Sequence, residues 1–186
     1  MDSDPILVAR AATGSREAFD ELVRRYRRPV YSLVRVLTSG DSEAEDLVQD
    51  IFVRAFRAIG GFRGHSAFRS WLYRIAINVV HTHLARRRVR EAAIAVSPQE
   101  PWSIDDLPAG GDLERAVLRR QVIDRALADL PEDLRVLVLL RDVHGLKYEE
   151  IARIVKAPRG TVESRLFRAR QRLRPMLEPL MIDEGR

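Results

Sequence analysis

Cysteine is absent from this chain of 186 residues, and lysine is rare, because only Lys147 and Lys156 stand among 32 basic residues. The lack of cysteine excludes disulfides and cysteine-ligated zinc, and it fits a reducing cytosol. No apolar run approaches the ~20 residues that span a bilayer, and the first residues lack the basic and apolar segments of a signal peptide. We therefore expect a soluble, cytoplasmic protein with no membrane contact of its own.

Acidic residues are missing from one long stretch of the sequence. Residues 51–90 contain no aspartate or glutamate but nine arginines, and the whole chain has a formal net charge of +5. A positive charge concentrated in this way favours a polyanionic partner such as nucleic acid.

Helical periodicity dominates the N-terminal half. Apolar residues recur every three or four positions along residues 19–37, along residues 47–59 and again after a glycine-rich loop, which predicts three long amphipathic helices. Pro29 should bend or split the first of them, and Ser42 with Glu45 has capping-box spacing for the second. Three such helices with short connections should pack as a compact bundle.

Residues 91–112 separate this bundle from the rest of the chain. They are rich in proline, glycine and acidic residues, a composition typical of linkers, and about 22 residues reach roughly 70 Å at full extension. Helical spacing resumes after them, and the sequence shows neither a strand pattern nor an internal repeat. The predicted fold class is all-α, with two small helical domains joined by a flexible linker. These are a three- or four-helix N-terminal bundle over residues 1–90 and a C-terminal helix-turn-helix domain over residues 113–186.

Residues 130–177 have the pattern of a helix-turn-helix. Ile151, Ala152 and Val155 mark the inner face of the first helix. Pro158 then breaks the pattern and suits the first turn of a new helix, where its missing N–H is no loss. The second helix has an inner face of Val162, Leu166, Ala169 and Leu173 and an outer face of Arg159, Ser164, Arg165, Arg168, Arg172 and Arg174. A helix fits the major groove, and arginine binds phosphate oxygens and the guanine edge, so this segment predicts binding of duplex DNA.

A second candidate DNA surface follows the glycine-rich loop. Residues 66–88 place Trp71, Tyr73 and Asn78 among arginines on one predicted helix. Aromatic rings stack on unpaired bases, arginines hold the backbone and an amide can pair with a base edge, so this helix favours single-stranded DNA. An alternative stays open, because Phe68 and Trp71 can equally belong to the core, where large aromatic side chains usually lie.

Four motifs, taken together, resemble the extracytoplasmic-function group of bacterial sigma factors in the sigma-70 family, the promoter-specificity subunits of RNA polymerase. They are AEDLVQDIFVRAFRAI (44–59), FRGHSAFRSWLYRIAINVV (62–80), LPEDLRVLVLLRDVHGLKYEEIA (130–152) and GTVESRLFRAR (160–170). The resemblance covers both predicted domains in the family's order and spacing. It implies that residues 1–90 are sigma region 2 and that residues 113–186 are sigma region 4.

The resemblance also implies site residues. The exposed side of the second helix should bind core RNA polymerase through Asp46, Gln49, Asp50 and Arg54. The loop and helix that read the −10 element and capture an unpaired base correspond to Phe62, Arg63, His65, Ser66, Phe68, Trp71, Arg74 and Asn78. The positions that contact the −35 element correspond to Arg159, Thr161, Ser164, Arg165, Phe167 and Arg168. The residues alone leave two alternatives open. The charged side of the second helix can be a solvated face without a partner, and Phe167 can pack against the first helix of the helix-turn-helix.

The function implied is that of an alternative sigma factor. It would bind core RNA polymerase, recognise the −35 element as duplex and open the −10 element without ATP. Opening the duplex costs about a few kcal/mol, and capture of an unstacked base offsets part of this cost. No catalytic residue, metal or cofactor is expected, and an anti-sigma factor is implied as a regulatory partner. Glu163 departs from the family pattern, because relatives often carry a basic residue there. Glutamate can accept a hydrogen bond from cytosine N4 but repels phosphate.

A stand-alone helix-turn-helix regulator is the main alternative. It would bind duplex DNA as a dimer, with half-sites about 34 Å apart. The apolar stripe of residues 47–59 would then be its dimer interface instead of bundle core.

A DNA-cutting enzyme and a metal site are weaker alternatives. Such an enzyme needs a carboxylate cluster on rigid elements, whereas the available acidic residues fall in or beside the linker: Asp105, Asp106, Asp112 and Glu114. A metal site would have to use His65, His81 and His83. His81 and His83 are two positions apart on a helix and do not share a face.

Overall fold

The computed structural model of the protein describes residues 2–40, 42–93 and 111–182. Within these ranges the chain forms eight α-helices and no strand, so the prediction of an all-α fold is confirmed. The helices are α1 (Asp4–Ala12), α2 (Arg16–Leu37), α3 (Ala44–Ala58), α4 (Phe68–Ala93), α5 (Gly111–Ala128), α6 (Glu132–Val138), α7 (Tyr148–Val155) and α8 (Arg159–Ile182). Most of the predicted linker lies outside the described residues, and α4 and α5 each extend slightly into it.

The long helix α2 organises the N-terminal bundle. It begins after Ser15, whose Oγ accepts a hydrogen bond from the backbone N–H of Ala18 at 3.3 Å, and this satisfies a donor that the helix leaves free. The helix continues through Pro29, so the expected split does not occur. Leu22 and Val30, on either side of the proline, are fully buried. Packing of this face compensates the roughly 3 kcal/mol that an internal proline costs.

A short helix at the N-terminus, α1, supplies the fourth member of the bundle. Its residues Leu7, Val8 and Ala11 are buried, and it packs against α2. Arg25 of α2 also forms a 3.1 Å ion pair with Asp4.

Helix α3 begins later than its predicted cap. Glu43 occupies the N-cap position without a side-chain hydrogen bond, so the prediction of a capping box from Ser42 and Glu45 is wrong. Glu45 forms a 2.9 Å ion pair with Arg27 of α2. Its carboxylate is therefore directed to the neighbouring helix and not back to the start of its own.

The apolar stripe of α3 lies in the core of the bundle. Its buried members are Val48, Ile51, Phe52, Ala55 and Ile59. These residues are not available for a dimer interface, which removes the support for a dimeric regulator that the stripe offered. Leu47 is partly buried, and Phe56 is 44% exposed, with its ring centroid 5.0 Å from that of Phe19.

The C-terminal helices contain the predicted helix-turn-helix. Helix α7 begins at Tyr148, and Glu150 Oε2 accepts a hydrogen bond from the backbone N–H of Lys147 at 2.9 Å. Lys156 follows α7 in the left-handed conformation, with φ at 53°, and turns the chain towards α8. The residues Val162, Leu166, Ala169 and Leu173 are buried, as their spacing predicts.

A contact that we call the seam joins α2 and α4 to α5, α6 and α7. Its centre is Arg135 of α6, which is 9% exposed. The guanidinium donates to the carbonyls of Ala128 (2.6 Å) and Leu130 (3.0 Å), to those of Val36 and Leu37 (3.4 Å each) and to Ser39 Oγ (3.2 Å). The last carbonyls of a helix lack partners within it and carry partial negative charge, so a cation is favourably placed at the end of α2.

Ile51→Ala should lower the free energy of unfolding by about 2–5 kcal/mol, because it removes a fully buried side chain and leaves a cavity. Val53→Ala on the same helix is the matched control. Its side chain is 39% exposed, and the substitution should cost much less. Urea unfolding followed by circular dichroism measures both. A loss for Ile51→Ala no larger than that for Val53→Ala would contradict the placement of the stripe in the core.

Candidate nucleic-acid and polymerase interfaces

Aromatic side chains at the start of α4 form a cluster. The ring centroids of Phe62 and Trp71 are 5.3 Å apart, those of Phe68 and Trp71 5.6 Å, and those of Tyr26 and Phe68 5.4 Å. Phe68 and Trp71 are 4% and 9% exposed. Of the two interpretations that the sequence leaves open, core packing describes both rings in this structure. Base contact by these two rings stays a prediction, and it would require the cluster to rearrange.

The accessible members of the predicted −10 set are Phe62, Arg63, His65, Ser66, Arg74 and Asn78. Among them Arg74 and Asn78 are exposed on α4 and lie four positions apart. Residues at this spacing lie on one face of a helix. A DNA strand that contacts one of them therefore reaches the other.

A cleft of about 320 Å³ opens beside this loop, and both halves of the chain line it. Arg63, Ser70 and Arg74 lie on one side, with Glu150 and Arg153 of α7 on the other. Ser70 Oγ donates a hydrogen bond to Glu150 at 2.6 Å. The first helix of the helix-turn-helix therefore covers one side of the candidate −10 surface.

Glu150 is ionised in this cleft at neutral pH. Burial works to raise the pKa of its carboxyl group, but hydrogen bonds from Ser70 and from the backbone N–H of Lys147, with Arg69 nearby, outweigh burial and lower the pKa. The cleft therefore holds a fixed negative charge among arginines.

Tyr73 and His144 form a second contact across the seam. The Tyr73 hydroxyl lies 3.1 Å from His144 Nδ1, and Tyr73 is only 2% exposed. Burial, reinforced by Arg69, lowers the pKa of His144 to about 4. The imidazole is therefore neutral at physiological pH, and Tyr73 is not free to stack on a base.

The predicted polymerase-binding residues lie on the outer side of α3. Asp46, Gln49 and Arg54 are exposed, and Asp50 is partly exposed. Arg54 Nε donates to both carboxylate oxygens of Asp50 at 3.0 Å. This pair, one helical turn apart, fixes the direction in which both charged groups meet a partner.

An apolar groove beside these residues has no counterpart in the sequence prediction. It has a volume of about 530 Å³ and lies between α2 and α3, with Phe19, Val23, Phe52, Val53 and Phe56 inside and Asp46 and Gln49 among its polar lining. Val53 and Phe56 are 39% and 44% exposed. An exposed apolar patch with a polar rim is typical of a protein-binding surface. In the sequence, the signal for this groove is Val53, an apolar residue that lies outside the regular stripe of α3.

The predicted −35 residues lie on the outer face of α8. Thr161, Ser164, Arg165 and Arg168 have the i, i+3, i+4, i+7 spacing of one helical face, and each is at least partly exposed. Phe167 is 63% exposed, so the alternative of packing against α7 is wrong. The face thus combines cationic, hydroxyl and aromatic groups at the surface.

Two glutamates hold the first residue of α8. Arg159 Nε donates to Glu163, and a terminal nitrogen of the same guanidinium donates to Glu149 of α7, both at 2.7 Å. The sequence singles out Glu163 as a departure from the family pattern but gives no signal for Glu149, which only the turn between the two helices brings close.

The remaining sequence alternatives find no further support in the part of the chain that the structure describes. Among residues 2–40, 42–93 and 111–182, no three His, Asp or Glu side chains are grouped to hold a metal ion. Asp105 and Asp106, and the side chains of Asp112 and Glu114, lie outside the described residues. No helix in these ranges is both long enough and apolar enough to cross a membrane.

Comparison with known families matches both halves of the chain. Residues 22–90 match the family model described as Sigma-70 region 2, and residues 120–173 match the one described as Sigma-70, region 4. The chain is 40% identical to the RNA polymerase sigma-H factor of Pseudomonas aeruginosa, over 97% of each protein. It is 42% identical to the ECF RNA polymerase sigma-E factor of Escherichia coli K12, over 96% of each.

Solved structures share the fold. CnrH in complex with the cytosolic domain of CnrY has a TM-score of 0.70 at 29% identity, covering 96% of this chain and 99% of that one. The sigma factor RpoE of Bartonella quintana, in complex with the anti-sigma factor NepR, has a TM-score of 0.73 at 28% identity, covering 86% of this chain and 96% of that one. The similarity therefore extends over both halves of the chain.

Proposed function

The chain belongs to the sigma-70 family of RNA polymerase sigma factors, in its extracytoplasmic-function group, and from that premise we propose how its surfaces serve transcription initiation. As an alternative sigma factor it binds core RNA polymerase and directs promoter recognition. In this proposal region 2, residues 1–90, binds the polymerase and recognises the −10 element. Region 4, residues 113–186, recognises the −35 element. The polymerase carries out RNA synthesis, and this chain supplies DNA recognition.

The observation that carries the proposal is the presence of two chemically different exposed surfaces on one chain. The outer face of α8, with Arg165 and Arg168, suits the major groove of duplex DNA. The surface around Arg74 and Asn78, beside an aromatic cluster, suits an unpaired strand. A dimeric regulator uses one surface twice on a symmetric site, so a second, different surface favours the sigma assignment.

The outer side of α3 is the proposed polymerase contact. Asp46 and Gln49 line the groove that exposes Val53 and Phe56, and Asp50 and Arg54 lie further along the same helix. A helix of the polymerase can place apolar side chains in such a groove and pair polar groups at its rim. The groove thus adds an apolar anchor to the charged residues that the family resemblance implies.

Regulation by an anti-sigma factor is part of the proposal. Two relatives of known structure, CnrH and RpoE, are bound to CnrY and to the anti-sigma factor NepR. A comparable partner of this chain would act by covering its polymerase-facing surfaces, in the cytoplasm where polymerase works.

Co-purification with bacterial core RNA polymerase, followed by transcription from a genomic library, tests this function. We expect a stable complex and start-site-specific transcripts, whose aligned start sites give both promoter elements. Val53→Asp should weaken core binding, because it places a charge in the apolar groove. Ala58→Asp, at an exposed position near the end of the same helix, is the control. Failure to bind core, with specific retention of duplex DNA by the chain alone, would favour the stand-alone regulator.

Asn78→Ala should weaken open-complex formation about 5- to 100-fold, the value of one good base contact, while core binding is spared. Asn78 is exposed on α4, so its removal leaves the bundle core intact. Permanganate footprinting of unpaired thymines measures opening, and Thr82→Ala, one turn further along the exposed side, is the control. Equal loss of core binding and opening would show that Asn78 has a structural role.

A further inference from the structure

A cluster of two carboxylates and one guanidinium lies at the start of α8, on a surface that we propose binds DNA. Arg159 lies between Glu149 and Glu163, with ion pairs of 2.7 Å to each. Arg159, Glu149 and Glu163 are 60%, 54% and 42% exposed, so the cluster faces solvent. Two carboxylates around one guanidinium leave a net negative charge, whereas Arg165, Arg168 and Arg172 make the rest of the face positive.

Such a cluster is unfavourable beside phosphate and favourable beside a base edge. DNA phosphates repel a net negative group. A glutamate can, however, accept a hydrogen bond from cytosine N4 in the major groove. The ion pair with Arg159 fixes the direction of the Glu163 carboxylate and reduces its repulsion from the DNA backbone, while Glu149 holds Arg159 in place.

Resting on the proposed −35 role of α8, we propose that Glu163 is a specificity-determining residue that selects cytosine in the −35 element. Arg159 is its positioning partner. Arg168, without a carboxylate on each side, contributes general affinity or a separate base contact.

Selection from a promoter library randomised at the −35 element, with holoenzyme made from core polymerase and the full chain, tests this role. The wild type should enrich cytosine at one position. Glu163→Gln should reduce that preference about 5- to 100-fold without lowering affinity for the other sequences, because a repulsive charge is removed. Arg168→Ala is the control, which should weaken binding without changing the preference for this cytosine.

The possible failures of this test are distinct. An unchanged base preference in Glu163→Gln, or a loss that is uniform over all sequences, overturns the specificity role. Absence of any −35 preference in the wild-type holoenzyme would instead contradict the proposed function of α8, and the specificity role with it.

Discussion

The buried guanidinium of Arg135 is the interaction on which the placement of the two halves depends. It donates at once to the last carbonyls of α2 and to those that close the turn between α5 and α6. A buried cation is costly unless its donors are satisfied, and burial lowers the pKa of Arg135 accordingly. In this structure both sets of carbonyls lie within its reach. The contacts of α7 with Ser70 and Tyr73 follow from this placement, because α7 comes soon after α6.

One consequence is that the two proposed DNA-binding surfaces are mechanically linked. Helix α7 packs against α8 on one side and lines the candidate −10 cleft with Glu150 and Arg153 on the other. The groove of α3 that we propose for polymerase binding lies apart from this seam, with Val53 and Phe56 at the surface. The proposed polymerase contact is therefore accessible in an arrangement in which α7 covers one side of the candidate −10 surface.

The local sequence pattern predicts most of the helices, because apolar residues at helical spacing become the buried face. Ile51 and Leu166 are buried as their spacing predicts. The prediction fails where a contact with a residue far away in the chain determines the local structure. Glu45 does not close a capping box because Arg27 binds it, and Pro29 stays helical because neighbours on both sides are packed. Asp4 and Pro5 are residues typical of the first turn of a helix, and they indicate the start of α1, which is too short to show a clear apolar stripe.

The same limit applies to the residues of the candidate sites. Spacing places Arg168 on the outer face of α8, where it is exposed, but spacing could not decide whether Trp71 is core, because buried and stacking aromatics have the same period. No local signal exists for contacts between residues far apart in the chain, such as Tyr73 with His144 or Arg135 with Val36.

Apart from Ser39, however, Arg135 recognises main-chain oxygens in the other half. Side chains at the end of α2 can thus diverge during evolution without compensating changes in α6, and halves exchanged between relatives would retain this contact wherever the helix ends alike.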